Sequence, residues 1–250
     1  HIIGQIDDDN NGISGIEKSF DKELKITQDL LRLTVDADIQ FLIRKELLKF
    51  QEIFRAKGSA AILMDVNNGA IISMVSLPDF NLNERKAITD VDYINRATKG
   101  VYEFGSVFKT FTVAAGFNEN LIEPNSEYLN LKKEIKCNGF SIREYSEKTP
   151  TNLTVEEILI RSGNIGSVRI GQKIGEKKFK SFLKKIGVQG KINFDIQEVG
   201  KPTPINWGKC KLATASYGHG ITTTLLQIAK GYSIVTNGGY DINPTLIQKK

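Results

Sequence analysis

The chain has 250 residues, of which 40% are apolar and 25% are charged, a balance that excludes a disordered or fibrous protein. The formal net charge is +5, but the basic residues are spread along the sequence without a block of like charges, which gives nucleic-acid binding little support. Two cysteines and two histidines, none at metal-ligand spacing, predict no metal site, and no stretch has the pattern of a signal peptide or a membrane span.

The start of the chain is predicted to be a connector followed by a helix. Residues 1–31 are rich in glycine and acidic residues and then become amphipathic, which is typical of a connector that feeds a short helix. Residues 31–35 alternate apolar and polar side chains and are predicted to form a strand. Residues 38–55 carry apolar residues at helical spacing, and Asp36 is suited to cap this helix.

A β-hairpin is predicted next. The apolar runs 60–66 and 70–75 flank residues 67–69, whose sequence NNG favours a tight turn between antiparallel strands. Pro78 is expected to end the second strand, because proline cannot continue the ladder. The polar stretch that follows, up to about Gly100, is predicted to be a loop with a short helix.

The rest of the chain is predicted to be mainly helical, with a β-insert within residues 119–150. Thr154 and Glu157 match a capping box, and Gly187 is placed to end a helix. Helices around a hairpin, without a βαβ rhythm, indicate an α+β fold. The predicted helices are 106–117, 154–161, 165–174, 177–186 and 223–235, the last ended by Asn237-Gly238-Gly239.

Ser106 and Lys109 are candidates for a nucleophile and its base. They are three residues apart at the start of a predicted helix, so their side chains share one face. A serine hydroxyl needs a base to take its proton, and a lysine can be that base when burial lowers its pKa. The helix N-terminus would also stabilise a developing oxyanion. Taken alone, the spacing is more commonly an N-cap serine followed by a surface lysine.

A second motif, Ser162-Gly163-Asn164, separates two predicted helices. A loop serine and asparagine can relay a proton and bind a substrate amide, although a plain helix-capping turn is the commoner origin of such a sequence. The set S-x-x-K, S-D-N and K-T-G is typical of penicillin-binding proteins and class A β-lactamases. Two of these three motifs occur here in the correct order.

Beyond the motifs, the chain resembles class B penicillin-binding proteins, and most of all their septal, cell-division type. Residues 1–4 and 12–21 resemble the end of the non-catalytic pedestal. Residues 33–40 resemble the entry to the transpeptidase domain, and residues 61–66 and 68–74 resemble its first hairpin. The similarity extends to the active-site approach, the second motif and the segment before the third, in residues 95–97, 102–109, 162–166, 217–221 and 236–239.

The resemblance implies two domains and an incomplete fold. Residues 1–31 are expected to end the pedestal, and residues 32–250 to form the transpeptidase domain, with a serine β-lactamase-like fold. This fold is an antiparallel sheet flanked by helices, plus a helical lobe that carries the serine. The sequence contains no KTG, so the strand that supplies a cleft wall, a cation for the substrate carboxylate and the second oxyanion N–H is expected to lie beyond Lys250. The 250 residues are therefore expected to have little activity by themselves.

Two further positions depart from the family pattern. Many relatives have proline or leucine where Phe104 stands, a change between apolar residues. Gly163 replaces a bulkier middle residue of the second motif, which is expected to loosen that wall of the cleft.

The resemblance also implies the reaction and the role of each residue. Ser106, deprotonated by Lys109, would attack the D-alanyl-D-alanine carbonyl of a peptidoglycan stem peptide. D-alanine would leave with a proton that passes through Ser162 and Lys109, and an amine of a neighbouring stem peptide would take the acyl group. Asn164 would hold the donor's amide, and a β-lactam antibiotic would acylate the same serine. No metal or organic cofactor is needed.

The expected partners, besides stem peptides and β-lactams, are a glycan-polymerising enzyme and other division proteins, and no nucleic acid. By resemblance, an N-terminal segment outside this chain would anchor the protein in the bacterial cytoplasmic membrane, with this domain on the extracytoplasmic (periplasmic) face.

Two other functions stay open. A D,D-carboxypeptidase or β-lactamase-like hydrolase would use water in place of the amine, although the pedestal-like start argues against it. A non-catalytic β-lactam-binding sensor, or a scaffold in a division complex, remains possible because the third motif is missing.

Four single residues complete the predictions. His219 is the one realistic base for a Ser-His-Asp triad, but its flanking glycines favour a tight turn beside the site. Trp207 is expected to pack rather than to bind a ligand. Cys137 and Cys210 could pair in an oxidising compartment, and the sequence leaves this open.

Overall fold

A computed structural model describes residues 1–26, 30–83, 93–208 and 210–248. Helices and short antiparallel strands make up its regular structure, so the predicted α+β class is confirmed. Two compact units are present. We call them the hairpin unit (His1–Tyr102, Gly190–Pro202 and Thr224–Lys250) and the serine unit (Glu103–Gln189 and Thr203–Thr223).

The elements follow in chain order. The helices are α1 (Gly15–Ser19), α2 (Asp21–Ile26), α3 (Ala37–Phe54), α4 (Lys109–Asn118), α5 (Val155–Ile160), α6 (Asn164–Ile174), α7 (Glu176–Lys185), α8 (Lys211–Ala215) and α9 (Leu225–Thr236). The strands are β1 (Ser59–Met64), β2 (Ile71–Leu77), β3 (Val101–Tyr102), β4 (Glu127–Tyr128), β5 (Glu134–Cys137), β6 (Phe140–Arg143), β7 (Leu153–Thr154) and β8 (Thr223–Thr224). A 3-10 turn, Gly105–Phe108, leads directly into α4.

The hairpin unit is built on the predicted antiparallel pair β1 and β2, with Ser59 opposite Leu77. Helix α3 packs on β2 through Gln40, whose side-chain oxygen accepts from the backbone N–H of Met74 at 2.9 Å. The predicted cap of α3 is confirmed, because the Asp36 carboxylate accepts from the backbone N–H of Ile39 at 3.0 Å. Both the hairpin and the long helix therefore form where local sequence places them.

The strand predicted at residues 31–35 is wrong. Leu33 makes a single antiparallel bridge with Ile247. The alternating apolar side chains, Leu31, Leu33 and Val35, instead pack against the core of the hairpin unit. Burial of every second side chain produced the strand-like pattern without a ladder of hydrogen bonds.

The core of the hairpin unit is a single cluster of buried apolar residues. It draws on the first segment of the chain as well as on β2 and α9. Its members are Ile2, Ile16, Ile71, Met74, Ala97, Ile192, Ile196, Leu226 and Leu246. The domain boundary predicted at residue 31 stays a prediction.

The serine unit is helical around α4, which packs against α5, α6 and α7. Its predicted helices are confirmed, and the capping box of α5 has both of its hydrogen bonds, between Thr154 and Glu157. The predicted β-insert contains the hairpin of β5 and β6. Helix α8, which packs against α6, was not predicted.

The short helix predicted before Gly100 falls largely on residues 84–92, outside the described residues. Within the described part of the chain, no helix is both long enough and apolar enough to cross a membrane.

Candidate active site

Ser106 lies in the 3-10 turn just before α4, and it is exposed. The turn is entered through Gly105, whose φ of +58° is a left-handed conformation that costs a residue with a Cβ about 1–2 kcal/mol. Two residues after the serine, Phe108 is completely buried. This local geometry leaves the hydroxyl accessible to a substrate while it anchors the backbone.

Lys109 points into the serine unit and is only 2% exposed. Its Nζ donates to the backbone oxygen of Ser162 at 2.5 Å, to Ser162 Oγ at 2.8 Å and to Asn164 Oδ1 at 2.7 Å. These three acceptors match the three donors of an ammonium group. The structure thus joins the two predicted motifs, 53 and 55 residues apart in sequence, through one side chain.

Burial lowers the pKa of Lys109 to about 8, against an opposing effect of the Glu144 carboxylate, which raises it. Desolvation disfavours the ammonium form, so an appreciable fraction of the amine is neutral near physiological pH. A neutral amine is the form that can take a proton from Ser106. The lysine therefore has the electrostatic setting of a general base.

Ser162 is held in a left-handed conformation, with φ +54°. It lies just beyond α5, whose C-cap is Arg161, and its backbone N–H donates to the oxygen of Leu159 at 3.1 Å. A non-glycine residue in this region is strained by about 1–3 kcal/mol, and such strain often occurs at functional sites. Here it accompanies an arrangement in which both the carbonyl and the hydroxyl of Ser162 contact Lys109.

Asn164 is the first residue of α6, and both ends of its amide have partners. Its Nδ2 donates to the backbone oxygen of Arg143 at 2.8 Å, while Oδ1 accepts from Lys109. The asparagine is therefore fixed in orientation, as a residue that positions a substrate must be. Its predicted contact with a substrate amide stays a prediction.

Glu144, which follows β6, is the residue of this site that the sequence analysis missed. Its Oε2 accepts from the backbone N–H of Asn164 at 2.8 Å, and its Oε1 accepts from that of Ile165, also at 2.8 Å. The one pattern that could have indicated such a partner is Gly163, an N-cap without a side chain to satisfy these donors.

His219 lies in a tight turn of the serine unit, between Gly218 and Gly220, both with positive φ, as predicted. The imidazole Nδ1 is 3.5 Å from Glu103 Oε2, and both side chains are exposed. Because Lys109 is buried and bonded to the second motif, the geometry supports the lysine rather than this histidine as the base for Ser106.

Replacing Gly218 by alanine is expected to disturb the serine turn. A Cβ at Gly218 would lie 1.7 Å from the backbone oxygen of Gly105, so one of the two segments must move. We expect a loss of about 2–4 kcal/mol in the free energy of unfolding, from overlap and the unfavourable φ together, measured by urea denaturation. Gly139→Ala is the matched control, since Gly139 also has positive φ but open space around its Cβ position. Equal losses of unfolding free energy in Gly218→Ala and Gly139→Ala would contradict the close approach of Gly218 to Gly105.

The two cysteines form a disulfide, which resolves the question that the sequence left open. Cys137, at the end of β5, is joined to Cys210, just before α8, with a Cα–Cα distance of 5.7 Å. Trp207 lies near this bond in sequence, and Lys180 Nζ sits 5.9 Å from the centre of its ring.

The residues described here contain no group of three or more His, Cys, Asp or Glu side chains that could hold a metal ion.

Comparison with known proteins gives the site a family context. Residues 59–250 match the family described as the penicillin binding protein transpeptidase domain. A protein of Caulobacter vibrioides that bears the name "Probable peptidoglycan D,D-transpeptidase FtsI" is 30% identical over the whole of this chain, which covers 43% of that relative. The Escherichia coli peptidoglycan D,D-transpeptidase FtsI is 27% identical over 97% of this chain and 45% of its own length.

The fold is shared with solved structures. The crystal structure of penicillin binding protein 3 from Mycobacterium tuberculosis superposes with a TM-score of 0.86, at 23% identity, over 98% of this chain and 58% of that one. At this identity the match shows the fold, and it confirms the predicted transpeptidase architecture. The chain spans less than half the length of the two relatives named above.

Proposed function

The chain belongs to the penicillin-binding protein transpeptidase family, as the resemblance predicted, and on that premise we propose that it acts as a serine D,D-transpeptidase that cross-links peptidoglycan. The observation that carries the proposal is the contact of buried Lys109 with Ser162 and Asn164, one helical turn from exposed Ser106. A nucleophile, a base with a lowered pKa and a hydroxyl relay are the groups that acyl transfer through an ester requires.

In the first half of the reaction, Lys109 Nζ takes the proton of Ser106 Oγ as this oxygen attacks the carbonyl carbon of the penultimate D-alanine. The positive end of the helix at Ser106 stabilises the tetrahedral oxyanion. The C–N bond then breaks, and the leaving D-alanine nitrogen receives the proton through Ser162 Oγ. The product is an ester between the serine and the stem peptide.

In the second half, the amine of a neighbouring stem peptide attacks this ester and gives up a proton to the Lys109 amine. The ester C–O bond breaks, a new peptide bond forms, and Ser106 Oγ recovers its proton. Asn164 holds the amide of the donor peptide. A β-lactam would enter the first half only, because its opened ring does not leave.

The setting of this activity is proposed from the same kinship. Two relatives carry the name peptidoglycan D,D-transpeptidase FtsI, which supports a role at the division septum, on the periplasmic face of a membrane to which the protein is anchored. A glycan-polymerising enzyme and other division proteins are the proposed partners. Residues 32–250 are proposed to belong to the transpeptidase domain and residues 1–31 to the end of a pedestal.

Covalent labelling by a fluorescent penicillin tests the proposal. Since the 250 residues contain no KTG, the full gene product is assayed beside this chain. We expect a label on Ser106 of the full product that Ser106→Ala reduces by at least about 10³-fold, because no second nucleophile replaces the hydroxyl. Ser146→Ala, at an exposed serine of the same unit, should label as the unmodified protein does. A label that survives Ser106→Ala, or none on the full product, would refute the proposal.

Release of D-alanine separates transfer from the other functions. A transpeptidase forms a new peptide bond when an acceptor amine is added, whereas a carboxypeptidase releases D-alanine equally well with water alone. A non-catalytic sensor would be labelled by penicillin but would release no D-alanine from a stem peptide.

A further inference from the structure

Glu144 supplies the helix cap that α6 cannot supply for itself. The N-cap residue of α6 is Gly163, which makes no side-chain capping bond. The two Glu144 oxygens instead bind the N–H groups of Asn164 and Ile165, each at 2.8 Å. A carboxylate in this position satisfies two backbone donors and interacts favourably with the positive end of the helix.

Arg143, the residue before Glu144, also contacts the first residue of α6, Asn164. The backbone oxygen of Arg143 accepts from Asn164 Nδ2 at 2.8 Å, which leaves Oδ1 of that amide to face Lys109 at 2.7 Å. Glu144 therefore binds the backbone N–H of Asn164, and Arg143, the last residue of β6, binds its side chain. Together these bonds determine both the position and the orientation of the amide.

We infer that Glu144 is a positioning residue of the active site, whose carboxylate holds the Ser162-Gly163-Asn164 turn where its oxygens meet Lys109. It touches neither the substrate nor Ser106 in the proposed reaction, and it acts through the turn. The inference deepens the proposed function and rests on it. The role is distinct from a general contribution to stability, because Glu144 also influences the base itself.

That influence is electrostatic. The Glu144 carboxylate favours the ammonium form of Lys109 and so raises its pKa, while burial lowers it more strongly. Glu144 is the charged side chain whose effect on Lys109 stands out beside burial. The other charged or titratable side chains of β6, α5 and α6, counting the residue that ends α5, are Arg143, Glu156, Glu157, Arg161, Arg169 and Lys173. Helix α7, which also packs against α4, carries Glu176, Lys177, Lys178, Lys180, Lys184 and Lys185, and the segments next to the serine turn carry Glu103 and His219.

Titration of Lys109 by NMR tests the inference without requiring activity. The lysine ε-carbon resonances are followed from pH 6 to 10, roughly spanning the range around the lowered pKa, and Lys109 is assigned by the loss of its resonance in Lys109→Arg. In Glu144→Gln we expect the midpoint of Lys109 to move to lower pH, because the carboxylate that favours the ammonium is gone. In Glu144→Asp the charge remains, so the midpoint should stay near that of the unmodified protein.

Glu157→Gln is the matched control. Glu157 is also a helix-capping carboxylate of the serine unit, bound to the backbone N–H of Thr154 at 2.9 Å. Its substitution removes the charge of a capping carboxylate, keeps an oxygen that can accept from Thr154 and leaves the second motif untouched, so the Lys109 midpoint should not move. Urea denaturation of Glu144→Gln, Glu144→Asp and Glu157→Gln measures the loss of stability that comes from a weakened cap. The Lys109 midpoint measures the loss of positioning separately.

Acylation by fluorescent penicillin supplies the second measurement. We expect Glu144→Gln to slow it by about tenfold or more at the plateau of its pH profile, the effect of losing one strong hydrogen bond to a charged group. Glu144→Asp should be intermediate, because its carboxylate is one methylene shorter.

The two proposals fail in different ways. An unlabelled full gene product would refute the proposed transpeptidase, whereas the NMR midpoint decides the role of Glu144 in either case. If Glu144→Gln leaves the Lys109 midpoint unchanged, or if its acylation falls no further than that of Glu157→Gln, Glu144 is a structural cap and the inference is wrong.

Discussion

Replacing Lys109 by arginine is expected to slow acylation of Ser106 by about 10³-fold, within the range of general base catalysis. Arginine keeps the positive charge and can donate to the oxygens of Ser162 and Asn164, but its guanidinium stays protonated and cannot take the serine proton. The rate constant for labelling by a fluorescent penicillin, measured on the full gene product, gives the effect directly.

The pH dependence of the same rate separates a missing base from a displaced side chain. In the unmodified protein the rate should rise as the pH passes about 8, since the amine of Lys109 loses its proton there. Lys109→Arg should lose this rise as well as the rate. Lys178→Arg, at an exposed lysine paired with Glu119 at 2.9 Å, should label normally. A rate for Lys109→Arg close to that of the unmodified protein would exclude Lys109 as the base.

Breaking the bond between Cys137 and Cys210 is expected to lower the free energy of unfolding by about 4 kcal/mol, because the disulfide closes a loop with a sequence separation of 73 residues. The loop contains α5, α6 and α7 as well as the second motif, so most of the serine unit lies within it. Urea denaturation with and without a reductant measures the difference.

A double variant with serine at both cysteine positions is the control for the reductant. It should unfold near the midpoint of the reduced protein and should not respond to reductant. If the unmodified protein unfolds at the same urea concentration in both conditions, the two cysteines are not bonded in solution. The proposed roles of Ser106 and Lys109 would stand in that case, since they rest on the hydrogen bonds of Lys109 to Ser162 and Asn164.

The features that could be predicted from sequence depend on interactions within a few residues. The cap of α3 joins Asp36 to Ile39, and the capping box of α5 joins Thr154 to Glu157. The β1–β2 hairpin needs only two apolar runs and a turn between them. In each case the partners lie close in sequence, so local preference and hydrophobic period are sufficient. The strand predicted around Leu33 was wrong because the same period can arise from packing alone.

Some features of the candidate site could be predicted from local sequence, and others could not. Ser106 and Lys109 could be identified because their spacing is local, and Ser162 and Asn164 because they follow in a known motif order. The burial of Lys109, which lowers its pKa, had no local signature, and although Gly163 indicates that α6 lacks a cap of its own, nothing local identifies Glu144 as the partner. The order of the motifs therefore predicted the chemistry but not the environment that makes it effective.

The sequence by itself determined most of the helices, the hairpin, the family resemblance and the candidate nucleophile. Only the tertiary structure decided that Lys109 is enclosed, that Glu144 caps α6, and that Cys137 meets Cys210. The physical reason is chain separation: Glu144 lies 20 residues from Asn164, and Lys109 lies 53 residues from Ser162. Contacts over such distances form when helices and strands pack into a common core, and no short-range pattern records which side chains this packing will bring together.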